Sequence, residues 1–216
     1  MFEVIPGILE KDWEKIAQKM EALKGLVDTV QIDVIDGKFT DSETFLDPKQ
    51  FSKFKDDFSL EAHFIVNEPI NYLDSFAEAG FKRFIGHIEK MSNQTEFIAK
   101  GELLGEVGFA VDLDTELDQI KVDLFDLDCI TIMSVKAGAS GQQFNQKALG
   151  KVRQIKESAK ENPFGGNLAI EIDGGVNADT IALVKEAQVD RFIVNSFLFN
   201  GEIAENLKKI KTLMSS

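Results

Sequence analysis

Short runs rich in β-branched and aromatic residues alternate with stretches of helical periodicity from one end of the chain to the other, and no other feature restricts the fold as strongly. Eight runs are predicted as strands: Val4–Leu9, Thr29–Asp36, Ser59–Val66, Arg83–Ile88, Val107–Leu113, Cys129–Val135, Leu168–Gly174 and Arg191–Phe199. The segments between them read as helical. The first, Asp12–Lys24, puts Trp13, Ile16, Ala17, Met20 and Leu23 on one face with Gly25 just past its end; the last, Glu202–Leu213, repeats the pattern with Ile203, Leu207, Ile210 and Leu213. Asn177 is a candidate helix cap directly after a Gly-Gly turn. Eight strand–helix units in 216 residues predict an α/β chain closed as a (β/α)8 TIM barrel, since a doubly wound open sheet more often stops at five or six strands. Without a Pro-, Ser- or Gly-rich linker, residues 1–216 read as a single domain.

Alternation along the strands divides their faces. Val30, Ile32 and Val34 oppose Gln31, Asp33 and Ile35; Ala62, Phe64 and Val66 oppose Glu61, His63 and Ile65; Ile170 and Ile172 oppose Glu171 and Asp173. The apolar sets should meet the helices, which sends the polar sets into the barrel. Interior polar groups are costly unless paired, so their convergence suggests a metal site, an active site, or both. Asp33 and Asp173 each close an apolar run shortly before a glycine turn, Asp36-Gly37 in the first case and Gly174-Gly175 in the second. Strands two and seven lie three steps apart around a closed eight-stranded sheet, so the two acids should face each other across its mouth. A carboxylate on each side suits removal of a proton from carbon on one face and its return on the other, which inverts a stereocentre. A divalent metal held by His63 and both aspartates would stabilise the enediolate. One Asp before a turn is commonplace; two at matching strand ends with His63 in register outweigh that reading. His87, at the end of the fourth strand, is balanced between touching substrate and capping the rim.

Small-residue turns follow the last three strands: Gly138-Ala139-Ser140-Gly141-Gln142, Gly174-Gly175 and Asn195-Ser196. Backbone N–H groups of such loops commonly hold phosphate in barrels. Lys38 and Lys136 beside strand ends would add charge there, although exposed lysines without a role are the commoner case. A net charge of −13 weighs against nucleic acid and anionic membrane as partners, but not against a small phosphorylated ligand held by backbone groups. The lone cysteine, Cys129, reads as a small core residue, and with no export signal at the amino terminus a cytoplasmic location is expected. Assembly into a homo-oligomer is left open.

Several segments, met in order along nearly the whole chain, resemble the ribulose-phosphate 3-epimerase family: Gln31-Ile32-Asp33-Val34-Ile35-Asp36-Gly37-Lys38-Phe39, Glu61-Ala62-His63-Phe64-Ile65-Val66, Met133-Ser134-Val135 with Gly138 and Gly141-Gln142-Gln143-Phe144, and Glu171-Ile172-Asp173-Gly174-Gly175-Val176-Asn177. The resemblance implies interconversion of D-ribulose 5-phosphate and D-xylulose 5-phosphate. Asp33 and Asp173 would be both acid/base pair and metal ligands, with His63 a third ligand. Phosphate would lie on the backbone of Gly141, Gly174, Gly175, Asn195 and Ser196, beside Gly138, and Met133 would pack over the enediolate.

Departures from the family pattern fall within that same site. Gln31 stands where the family has a second histidine ligand, and a carboxamide oxygen is a poorer donor to zinc than imidazole. The expected cofactor is therefore a divalent ion (Zn, Fe, Mn or Mg) at a weakened or altered site made of Gln31, Asp33, His63 and Asp173. Gly7 replaces a serine that would hydrogen-bond substrate, Ile35 and Ile65 replace methionines, and Lys136-Ala137-Gly138-Ala139-Ser140-Gly141 replaces an Asn-Pro-Gly-Phe-Gly-Gly pattern. Two other readings compete with the epimerase. A decarboxylase or aldolase of a related barrel family expects an Asp-x-Lys-x-x-Asp arrangement that Asp33-Val34-Ile35 lacks, and Gln31 and Gly7 motivate a phosphosugar-binding barrel without metal-dependent turnover.

Overall fold

The computed structural model describes residues 2–161 and 168–215. Eight strands close into one parallel barrel in chain order: β1 (Glu3–Ile8), β2 (Thr29–Ile35), β3 (Ser59–Ile65), β4 (Phe81–His87), β5 (Glu106–Val111), β6 (Cys129–Met133), β7 (Ala169–Asp173) and β8 (Arg191–Val194), the last pairing back to β1. The α-helices are α1 (Trp13–Leu23), α2 (Leu73–Glu78), α3 (Gln94–Gly101), α4 (Lys147–Glu161), α5 (Ile181–Glu186), α6 (Ser196–Phe199) and α7 (Ile203–Ser215).

α1 starts where Asp12 accepts the Glu14 N–H at 2.9 Å and stops at Lys24, after which Gly25 takes φ +73°. Its buried Ile16, Met20 and Leu23 are three of the five residues expected on that face. Two crossovers lack an α-helix. Between β2 and β3 the chain forms a 3-10 helix at Pro48–Phe54, and between β5 and β6 it makes only the short turns Leu117–Gln119 and Leu124–Asp126. The second stretch is dense in aspartates whose side chains bond nearby backbone, as Asp123 does with the Phe125 N–H at 3.0 Å, and this competes with helix.

Two boundaries differ from expectation near the mouth. The eighth strand ends at Val194 rather than running to Phe199, because the Asn195 backbone turns away (φ −112°, ψ −89°) and its carbonyl accepts the Leu198 and Phe199 N–H groups, starting α6. Asn177 caps a turn rather than a helix. Its side-chain oxygen accepts the Asp179 and Thr180 N–H groups at 2.8 and 3.2 Å, and α5 begins only at Ile181.

The faces divide as expected. Val30, Ile32, Val34, Ala62 and Phe64 lie in the apolar layer between sheet and helices, joined by fully buried Phe51, Phe54, Phe76, Phe81, Phe97 and Phe109. Each such side chain contributes about 1.5–3 kcal/mol through burial. At the amino-terminal end of the barrel the interior is ionic: Arg83 pairs with Glu61 and with Glu106 at 2.6 Å, and Arg191 pairs with Glu171 at 2.8 Å, which also accepts the Thr131 hydroxyl at 2.7 Å. These charges fill the floor. Cys129 is fully buried, and burial pushes its thiol up beyond ordinary reactivity. None of the described helices is long and apolar enough to cross a membrane.

Candidate active site at the carboxyl ends of the strands

Both aspartates are fixed by their backbones before their side chains meet. At the end of β2 the Thr44 hydroxyl donates to the Asp33 carbonyl at 2.8 Å and accepts the Ile35 N–H at 2.9 Å. At the end of β7 the Asp173 carbonyl accepts the Ser134 N–H at 2.7 Å and its hydroxyl at 2.8 Å, and the same hydroxyl contacts the Gly174 carbonyl. Register places His63 opposite Asp33 and Gln31 opposite Gly7.

Four side chains converge on one point. The Gln31 amide nitrogen donates to Asp33 Oδ1 at 2.8 Å and to Asp173 Oδ2 at 3.0 Å, joining the two acids directly. His63 Nδ1 lies 3.0 Å from Asp33 Oδ1 and 3.5 Å from Asp173 Oδ2. Gln31 and His63 are fully buried, and the Asp173 side chain is 14% exposed at the mouth. Burial raises the Asp173 carboxyl to about 7, helped by the charge of Asp33 and opposed by His63 and the Gln31 hydrogen bond. A carboxyl that keeps its proton to near neutrality can give one up and take one back.

Potential ligand atoms of Asp33, His63 and Asp173 lie within 4.8 Å of one another, a set able to hold a divalent cation. Gln31 fits such an ion through one atom only. Its N–H groups point at the carboxylates, whereas its carbonyl Oε1 is buried without a partner among the described residues. Exchange of the two atoms by a turn of the carboxamide supplies an oxygen donor, and the resulting oxygen-rich set suits harder cations than zinc.

Above the acids lies a cleft lined by Asp33, Asp173, Met133, Gly138, Gly141, Gly174, Gly175, Asn195 and Ser196, all singled out from sequence. Gly174 (φ +108°) and Gly175 (φ +64°) cannot be replaced without strain, since a Cβ would stand 2.4 Å from Val135 and 2.5 Å from the Phe144 nitrogen. The remaining wall is largely apolar: Ile65, Met133 and Val135 pack in one cluster with Ile35, Ala137, Leu9 and Phe39. Gly7 and His63 lie behind this surface rather than on it; a Cβ at Gly7 would be 3.9 Å from Gln31 Nε2 and 2.9 Å from Ile193 Cγ2. Lys38 and Lys136 are exposed and outside the cleft lining. His87 does not line the cleft either. It is buried and stacked on His63 with ring centroids 5.0 Å apart, and Glu89, which no sequence pattern singled out, bonds it at 2.9 Å.

Residues 3–199 match the ribulose-phosphate 3-epimerase family. The chain is 32% identical to a ribulose-phosphate 3-epimerase of Aquifex aeolicus over 98% of its own length and 96% of that protein's. It is 30% identical to one of Bacillus subtilis over 92% and 93%. Among solved structures the barrel superposes on 3-keto-L-gulonate-6-phosphate decarboxylase from Vibrio cholerae (TM-score 0.68, 14% identity, 99% of this chain and 97% of that). It also superposes on phosphoribosyl anthranilate isomerase from Thermus thermophilus (TM-score 0.69, 12% identity, 99% and 98%). At those identities the structures speak for the fold alone. Sequence relatedness over the full barrel makes this chain a member of the ribulose-phosphate 3-epimerase family, enzymes that epimerise sugar phosphates.

Proposed function

We propose that the protein interconverts D-ribulose 5-phosphate and D-xylulose 5-phosphate, or a closely related ketose phosphate, by two-base proton transfer. The observation that carries this is the meeting of Asp33 and Asp173 from β2 and β7 at one cleft, joined through the Gln31 amide. With the ketose between them, one acid, ionised, takes the proton from C3 while the other, protonated, gives its proton to the opposite face, and the roles exchange in the reverse reaction. Backbone N–H groups at Gly141, Gly174, Gly175, Asn195 and Ser196 hold the phosphate, and Gly138 lets its loop lie close. Met133, with Ile35 and Ile65, shields the enediolate from water. Asp33, His63 and Asp173, with Gln31 through its carbonyl oxygen, would hold a divalent ion, which when bound polarises the substrate oxygens against the developing negative charge. Gly7 leaves room beside Gln31 where a larger residue would crowd Ile193.

Incubation with ribulose 5-phosphate in D₂O, with and without Mg²⁺, Mn²⁺, Fe²⁺ or Zn²⁺, should give deuterium at C3 and xylulose 5-phosphate by NMR. No exchange with any ion overturns the assignment for this substrate. Phosphosugar bound without exchange would instead support a binding barrel without turnover.

A further inference from the structure

The His87–Glu89 pair lies behind the site, and the acid/base reading makes no use of it. His87 ends β4 fully buried, its ring stacked at 22° on His63 and met edge-on by Phe39 with centroids 4.8 Å apart. Its Nδ1 lies 2.9 Å from Glu89 Oε2, while its Nε2 has no partner among the described residues. Carboxylate acceptance at one ring nitrogen fixes both tautomer and ring orientation, here as Nδ1–H. The other Glu89 oxygen accepts the Asp112 N–H at 2.7 Å just past β5. Asp112 in turn accepts the Ala137 N–H through Oδ1 at 3.1 Å, next to Gly138 of the cleft, and its carbonyl accepts the ammonium of Lys151 from α4 at 2.7 Å.

One carboxylate thus holds two branches, one ending at the His63 ring and the other at the loop that follows β6. An ionised Glu89 suits this role: burial works to raise its pKa, yet the hydrogen bond from His87, with bonds from Asp112 and Thr115, holds it down to about 2. A hydrogen-bonded pair serving stability alone would need neither the stacking on His63 nor the link to Asp112.

We propose that Glu89 is a positioning residue for the reaction: it fixes the His87 ring against which His63 is aligned and, through Asp112, the backbone at Ala137 beside the phosphate-side glycines. Its effect on turnover rests on the acid/base reading of the site; its effect on the imidazoles does not. Neither residue touches the cleft, so both act through their neighbours.

The chain has only two histidines, and ¹⁵N-labelled protein therefore gives two imidazole patterns, assigned with a His87→Phe variant. In the unsubstituted protein His87 should appear as the Nδ1–H tautomer. Glu89→Gln, which keeps an acceptor for Asp112 but disturbs the bond to His87, should shift the His63 resonances and lower kcat about 10–100-fold with KM unchanged. Glu89→Ala, which removes both acceptors, should in addition weaken binding of inorganic phosphate. A folded Glu89→Gln protein with unaltered His63 resonances overturns the proposal whatever its activity. So does a His87 without a proton on Nδ1 in the unsubstituted protein, a measurement that needs no variant to fold. Shifted His63 resonances in a protein inert toward ketose phosphates would refute the proposed function and leave the positioning of His63 standing.

Discussion

Replacing Gln31 by leucine tests what its carboxamide does between the two acids. The two side chains are close in volume, so the change removes hydrogen bonds with little loss of packing. Two bonds to carboxylates, at 2.8 and 3.0 Å, are lost, each contributing about 1.5–3 kcal/mol. Against this, a buried carbonyl oxygen without a partner disappears, which returns about 1–3 kcal/mol. The balance is a net loss of about 2.5 kcal/mol, which for a chain of this length lowers Tm by about 5–10 °C. Urea and thermal unfolding at pH 7 in the presence of a chelator measure it, and a double-mutant cycle with Asp173→Asn should show coupling of about 1.5–3 kcal/mol. A variant within about 0.5 kcal/mol of the parent would refute the clamp and place the Gln31 nitrogen away from the carboxylates. With the clamp removed, His63 Nδ1, 3.0 Å from Asp33 and 3.5 Å from Asp173, still lies against both acids.

Three further outcomes follow from the same geometry. Asp173→Asn should lower turnover at least about 10²-fold while binding of inorganic phosphate stays intact, since the substitution spares the backbone of Gly174 and Gly175; unchanged turnover removes Asp173 from proton transfer. Gln31→His should tighten Zn²⁺, followed by competition with a chromophoric chelator, because imidazole is the better zinc donor; unchanged affinity would mean that position 31 does not face the ion. Glu89, lowered to about 2 from an ordinary 4.5, contributes up to about 3 kcal/mol that is fully present above pH 4.5 and fades as pH falls toward 2. The stability gap between the parent and Glu89→Gln should accordingly close across that interval in denaturant titrations. A gap independent of pH would show that Glu89 is not held ionised.

The site was partly legible before any tertiary contact was known. Asp33, His63 and Asp173 stand out because each occupies an interior-parity position of a strand whose opposite face is apolar, and the glycine turns stand out because they follow strand ends. Glu89 carries no such mark. It lies beyond the end of β4, in a stretch of ordinary polar composition, and gains meaning only because the chain turns there and brings it back under His87. Lys38 and Lys136 show the converse: adjacency to a strand end did not place them in the cleft, since past the last paired residue the backbone, not strand parity, sets the side-chain direction.

What the sequence by itself determined is the alternating strand and helix order, the inward set of Gln31, Asp33, His63, Glu171 and Asp173, and hence the barrel with acids at its mouth. These are consequences of periods of two and 3.6 residues, which depend on local covalent geometry. The tertiary structure decided which atoms meet. Barrel closure, strand tilt and register brought the Gln31 nitrogen within hydrogen-bond distance of carboxylates on β2 and β7 and stacked His87 on His63. Such contacts join residues far apart in the chain, and their distances depend on how all eight strands shear against one another, a collective quantity that no single segment encodes.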